Sequence, residues 1–120
     1  MHSGWLFDAE SNRFRVVRSM FSEKDITDLL KCKQATYKQF DTSDGAYCIW
    51  WNEDIYAQAY FNEGAQCILA SIQIPWKSFH GNFLVTYKEK SNIWNSMPNL
   101  TVDEFVDVCN HALKQTCKNC

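Results

Sequence analysis

The chain ends on Cys117-x-x-Cys120, with Cys109 and His111 shortly upstream. Thiolates and an imidazole grouped this way are zinc-ligand types, so Cys117, Cys120 and His111 are the metal candidates. Cys109 falls on the apolar stripe of a helix, and His111 lies about 200° around that helix from it. The last two cysteines sit where chains fray. A disulfide between them, or two free thiols, fits the same spacing. The pair lacks the thioredoxin setting, in which such a motif follows a strand and opens a helix. The sequence therefore carries no expectation of a cofactor.

His80, within Trp76-Lys77-Ser78-Phe79-His80-Gly81-Asn82, is the candidate for general acid–base work, because it occupies a loop beside a glycine. Glu53 and Asp54 could orient it, and Cys48 or Cys67 could serve as a nucleophile. Nothing in the sequence places these groups together, and a solvated turn histidine is the competing reading. Gly4, Gly45, Gly64 and Gly81 are isolated, so no phosphate-cradling loop is present. There is no His-Glu-x-x-His helix and no Gly-x-Ser-x-Gly elbow. Arg13, Arg15 and Arg18 read as ordinary surface. The chemistry leans away from an enzyme.

A larger signal is aromatic. Eight Phe, five Trp and five Tyr make up 15% of the 120 residues. In the run Ala46 to Trp51, both faces of a strand are apolar, so one of Trp50 and Trp51 must point away from a helix-covered side. In Ile55 to Phe61, Tyr56, Gln58 and Tyr60 share one face. From residue 34 to 76 a single lysine, Lys38, stands against Asp41, Asp44, Glu53, Asp54 and Glu63, a local balance of −4. All five acids fall in turns. Trp50, Trp51, Tyr56 and Tyr60, rimmed by Asp41, Asp44, Glu53 and Asp54, are thus the expected binding residues. Aromatics are enriched at interaction hot spots, and the acids suit a basic protein partner while repelling phosphate backbones. The expectation is a small intracellular protein-interaction or inhibitor module whose partner is a second protein or a second copy of the chain. The alternative is a small-molecule-binding protein or minor enzyme, with an aromatic-lined cleft and His80 at its mouth. Solvated acidic turns and loops covering the aromatic face are the plain counter-reading.

Several short elements must position these residues. Trp5-Leu6-Phe7 and Phe14 to Val17 flank a polar stretch and read as a hairpin. Ser22 and Asp25 form a capping-box-like start to a helix over about 23–33. Thr36 to Phe40, Ala46 to Trp51, Ile55 to Phe61, Ala65 to Ile74 and Phe83 to Tyr87 read as strands, the fourth ended by Pro75. Thr101 and Glu104 cap a second helix over about 102–116, with Leu100 and Phe105 as a hydrophobic staple. Its apolar face is Val102, Phe105, Val106, Cys109, Ala112 and Leu113. The expectation is one α+β domain over 1–120, an antiparallel sheet of about five to six strands with the two helices largely on one face.

The start of the chain lacks a secretory leader's basic and apolar regions. No apolar run approaches the ~18–20 residues of a membrane span. A formal charge of −2 supplies no basic footprint for nucleic acid. Six cysteines would suit three disulfides in a secreted chain. A domain this size folds without staples, so the expectation is a cytoplasmic protein with reduced thiols.

Overall fold

The computed structural model describes residues 1–54, 60–72, 74, 78–91 and 93–118, with side chains described as far as Lys114. The first polar stretch makes the expected hairpin. β1 (His2–Asp8) and β2 (Arg13–Ser19) pair antiparallel from His2 opposite Ser19 to Asp8 opposite Arg13. The Asp8 carboxylate accepts from the Glu10 amide at 3.1 Å. Asn12 takes the left-handed conformation, φ 53°, which its short polar side chain tolerates.

α1 (Glu23–Leu30) begins where its capping box places it. The Asp25 amide donates to the Ser22 hydroxyl at 3.2 Å, and the Asp25 carboxylate accepts from the Ser22 amide at 3.3 Å. These bonds, with one from the Ser19 hydroxyl, hold the Asp25 carboxyl below its usual range. The helix stops three residues before the expected end because Lys31 turns left-handed, φ 54°, and its amide returns to the Asp28 carbonyl.

β3 (Ala35–Asp41) and β4 (Gly45–Asn52) form a second hairpin, closed by Thr42 bonded to the Gly45 carbonyl. β5 (Phe83–Glu89) lies between β4 and β1, and the two-residue β6 (Trp94–Asn95) pairs with its far end. The sheet order is β2-β1-β5-β4-β3, with every pairing antiparallel. The fold is α+β, with six strands in one sheet.

Two expectations change. The run from Ala65 to Ile74 is not a strand: α2 (Glu63–Ser71) occupies it. Asn62 caps this helix by accepting from the Ala65 amide, while its own side-chain amide donates to the Phe7 and Gly81 carbonyls at 2.9 and 2.8 Å. Ala65, Ile68, Leu69 and Ile72 are buried at i, i+3, i+4 and i+7, so the apolar run was helical in period. The expected strand over 55–61 lies mostly outside the described residues.

The described residues also form three helices rather than two, on both sides of the sheet. α2 and α3 (Val102–Lys118) cover Trp5, Phe7, Tyr47, Ile49, Phe83 and Val85, whereas α1 covers Leu6, Val17 and Leu84 from the other side. The reason lies in β5, where Phe83, Leu84, Val85 and Thr86 are all fully buried. A strand apolar on both faces needs cover on both. α3 starts on the expected box, with the Glu104 amide on the Thr101 hydroxyl at 3.1 Å and the Thr101 amide on the Glu104 carboxylate at 2.9 Å. Phe105, Cys109 and Ala112 are its buried stripe. No helix among the described residues is long and apolar enough to cross a membrane.

If the Phe105 ring holds α3 to the sheet, Phe105→Ala should cost about 3–5 kcal/mol in urea denaturation, against ~1 kcal/mol for Thr101→Ala. Equal losses would contradict that anchoring.

Candidate functional site

The register of the second hairpin sets Tyr37 opposite Trp50 on the α1 side of the sheet. Their ring centroids are 4.5 Å apart, with planes inclined at 36°. Trp94 of β6 stands beside them, 6.0 Å from Trp50 and 6.4 Å from the Phe21 ring. α1 reaches only part of this face, so Tyr37 stays 47% exposed and Trp50 and Trp94 are half-buried. The Trp50 indole N–H donates to the Thr86 hydroxyl at 2.9 Å, which fixes the ring's tilt. Lys88 places its Nζ 4.7 Å from the Trp94 ring centre and 5.7 Å from that of Tyr37. The row therefore already holds one cation against its ring faces, worth about 0.5–2 kcal/mol according to how dry the site is.

Of the expected binding residues, Trp50 lies in this row. Trp51, opposite Thr36, faces the other way and packs on the main core. Tyr56 lies outside the described residues. Tyr60 is exposed, in the segment before α2, with its carbonyl accepting from the Gly81 amide at 2.8 Å. The four acids are exposed but divide between the two ends of the β3–β4 hairpin. Asp41 and Asp44 flank its turn, while Glu53 and Asp54 follow the end of β4. The Tyr37–Trp50 pair is the third from the Ala35–Asn52 end, so it lies nearer Glu53 and Asp54 than the turn. Tyr37, Trp94 and Lys88 are additions. Tyr37 lay in a run readable as a strand, but its register was not readable, and Trp94 lay in a segment that reads as loop.

His80 is half-buried, with its backbone bridged to Phe61 and its ring edge-on to the Phe61 ring at 5.8 Å. The polar partner described for the ring is the Ser78 hydroxyl, 3.4 Å from Nδ1. Cys48 is fully buried, and burial pushes its thiol up to about 11, which withholds the thiolate a nucleophile requires. Cys67 is exposed on α2. Among the described residues, no carboxylate or thiol is bonded to the His80 ring.

Asp41 and Asp44 also border a cleft of about 750 Å³ between the β3–β4 turn, Pro98 and α3, within the size range of ligand pockets. Tyr47 and Tyr87 line its sheet wall, and Asp107 and His111 its helix wall. His80 is not among its lining residues. Burial pushes the Tyr47 phenol up to about 12, with Tyr87, Cys109 and Asp44 adding to the rise. Tyr87 is raised in the same direction, by burial first and then by Asp44 and Glu89. Both are therefore neutral hydroxyl donors at physiological pH. His111 belongs to this cleft, while the Cys117 side chain and Cys120 lie outside the described residues. Among the described residues, no three His, Cys, Asp or Glu side chains group as metal ligands.

No protein family, curated protein or solved structure matches the chain.

The thiols give a direct check on this geometry. In a Cys117→Ser, Cys120→Ser background, Ellman's reagent should modify exposed Cys67 first. Half-buried Cys32, raised by desolvation, should follow more slowly. Cys48 and Cys109, the latter pushed up to about 12 by burial, should react only on unfolding. Four equal rates would contradict the burial described.

Proposed function

We propose that the chain is a protein-interaction module that receives a basic protein partner along the outer β3–β4 hairpin. The observation that carries this reading is the Tyr37–Trp50–Trp94 row, left open beside α1, with exposed acids at both ends of the same hairpin. Large rings supply contact area at small entropic cost. Asp41 and Asp44 at one end and Glu53 and Asp54 at the other would steer a positively charged surface and set its register. Action by occlusion follows, with the partner's own surface covered where it meets the row.

Charge also argues for a partner different from this chain. A two-fold contact between copies sets the same patch against itself. With acids at both ends of the hairpin, a copy laid antiparallel on a copy would meet acid with acid. Lys38, central on edge strand β3, likewise discourages pairing of that edge with itself.

A cleft with aromatic walls remains as a second reading, carried by Tyr47 and Tyr87 rather than by His80.

The interaction reading is tested by exposing immobilised wild-type and Tyr37→Ser, Trp94→Ser chains to one extract of the producing cells. A basic protein should be retained by the wild type and lost with the variant. Glu53→Lys with Asp54→Lys should then slow its association by about tenfold at low salt and flatten the salt dependence. Identical retention by both chains, or an unchanged rate after charge reversal, would overturn the aromatic or the steering part respectively.

A further inference from the structure

The cleft beneath the β3–β4 turn is separate from the aromatic row, because Tyr47 and Tyr87 point to the α3 side of the sheet. Its phenols are unusual among the buried polar groups. Tyr47 is 6% and Tyr87 9% exposed, yet neither hydroxyl has a hydrogen-bond partner among the described residues. No described side-chain nitrogen or oxygen is sealed from solvent without a partner. Both hydroxyls therefore open onto the cleft they line. Each hydroxyl can therefore donate to and accept from water or a ligand in the cleft.

The rest of the lining defines what that something is. Asp41, Asp44 and Asp107 put three carboxylates around the opening. The ion pairs among the described residues are Lys24–Asp28 and Lys31–Glu10, both elsewhere, and His111 is the basic side chain among the lining residues, set against the three carboxylates. An anion is repelled by this lining. A small metal ion lacks its three grouped ligands among the described residues. The Tyr47 and Tyr87 rings, 5.0 Å apart and inclined at 54°, line the same cleft as those carboxylates. Ring faces beside acids are the setting in which organic cations are bound.

We propose that this cleft binds an organic cation, its alkylammonium or guanidinium group paired with Asp44 and Asp107 and packed against the rings of Tyr47 and Tyr87. The two hydroxyls bond to polar atoms on the cation's chain in place of water. The same chemistry can arrive as a free amine or as a basic side chain of a protein.

Calorimetric titration at low salt tests the site with spermidine as the free amine and a capped Arg-Gly-Arg peptide as the side-chain source. Saturable binding of either supports the site and identifies the source. Fully acetylated spermidine, which has lost its charges, should not bind. Asp44→Asn with Asp107→Asn should weaken binding by about tenfold or more, as expected for loss of charge-assisted bonds. Glu23→Gln with Glu63→Gln makes the same charge change at exposed positions outside the cleft lining and should leave the affinity unchanged. Tyr47→Phe should weaken binding while retaining the wild-type melting temperature within a few degrees. Silence from both probes overturns the proposal, as does equal weakening by the two pairs of acid substitutions, which would show general attraction to an acidic protein.

Discussion

Everything in this fold is arranged around the burial of β5 on both faces. Phe83, Val85 and Tyr87 point toward α2 and α3, while Leu84, Thr86 and Lys88 point toward α1 and the aromatic row. Side chains alternate strictly along a strand, so the two halves of the core must meet at this strand and cannot slip past it. A one-residue slip would exchange Phe83 with Leu84 and bring the Lys88 side chain into the main core. The strand is protected from both edges, by β1 and β6 on one side and β4 on the other. Close approaches tighten the same region. A Cβ on Gly4 would stand 2.7 Å from the Phe21 ring and 2.9 Å from the Val85 carbonyl, so only glycine lets β1 pass there. Phe21 is itself held at φ 53°, a strained conformation for a bulky residue, with its side chain fully buried.

The end of that strand connects the two surfaces on which function is proposed. Tyr87 reaches the cleft, and its neighbour Lys88 reaches Tyr37 and Trp94 on the opposite face. The β3–β4 turn lies between them, with Asp41 and Asp44 exposed at the hairpin's end. One acidic corner thus serves two faces of the sheet. Lys88 has a particular place in this arrangement, since it occupies the aromatic row from within the chain. A basic partner of the proposed kind would share or displace that lysine, whose rehydration would offset part of the incoming cation's desolvation. The row is therefore suited to selecting a cation that offers more contact than Lys88, such as a planar guanidinium, which stacks as an ammonium does not.

Local signals were legible wherever a side chain bonds to its own backbone neighbourhood. Ser22 with Asp25 and Thr101 with Glu104 could be read because a capping box is complete within four residues. The hairpins and the α3 stripe could be read because their periods are short. α2 was misread for an identifiable reason. Ala65 to Ile74 is almost continuously apolar, so strand and helix periods fit it alike, and Pro75 suggested a strand's end. The deciding feature was Asn62, whose side chain caps the helix while bonding to Phe7 and Gly81, residues far away in sequence. The expected binding residues divided in the same way. That Trp50 and Trp51 face opposite sides followed from alternation. Which of them joins Tyr37 and Trp94 depended on register, and register is set between strands. The cleft was not legible at all, since Tyr47, Tyr87, Asp107 and His111 come together only when β4, β5 and α3 are packed.

The central claim is that the aromatic row is kept open for a partner unlike the chain itself. Light scattering of the purified protein over a dilution series, with reductant and at low salt, addresses it most directly. A mass of 14.0 kDa at every concentration is the expected result. A reductant-independent species of twice that mass that returns to monomer on Tyr37→Arg would contradict the claim, because the row would then be occupied by a second copy.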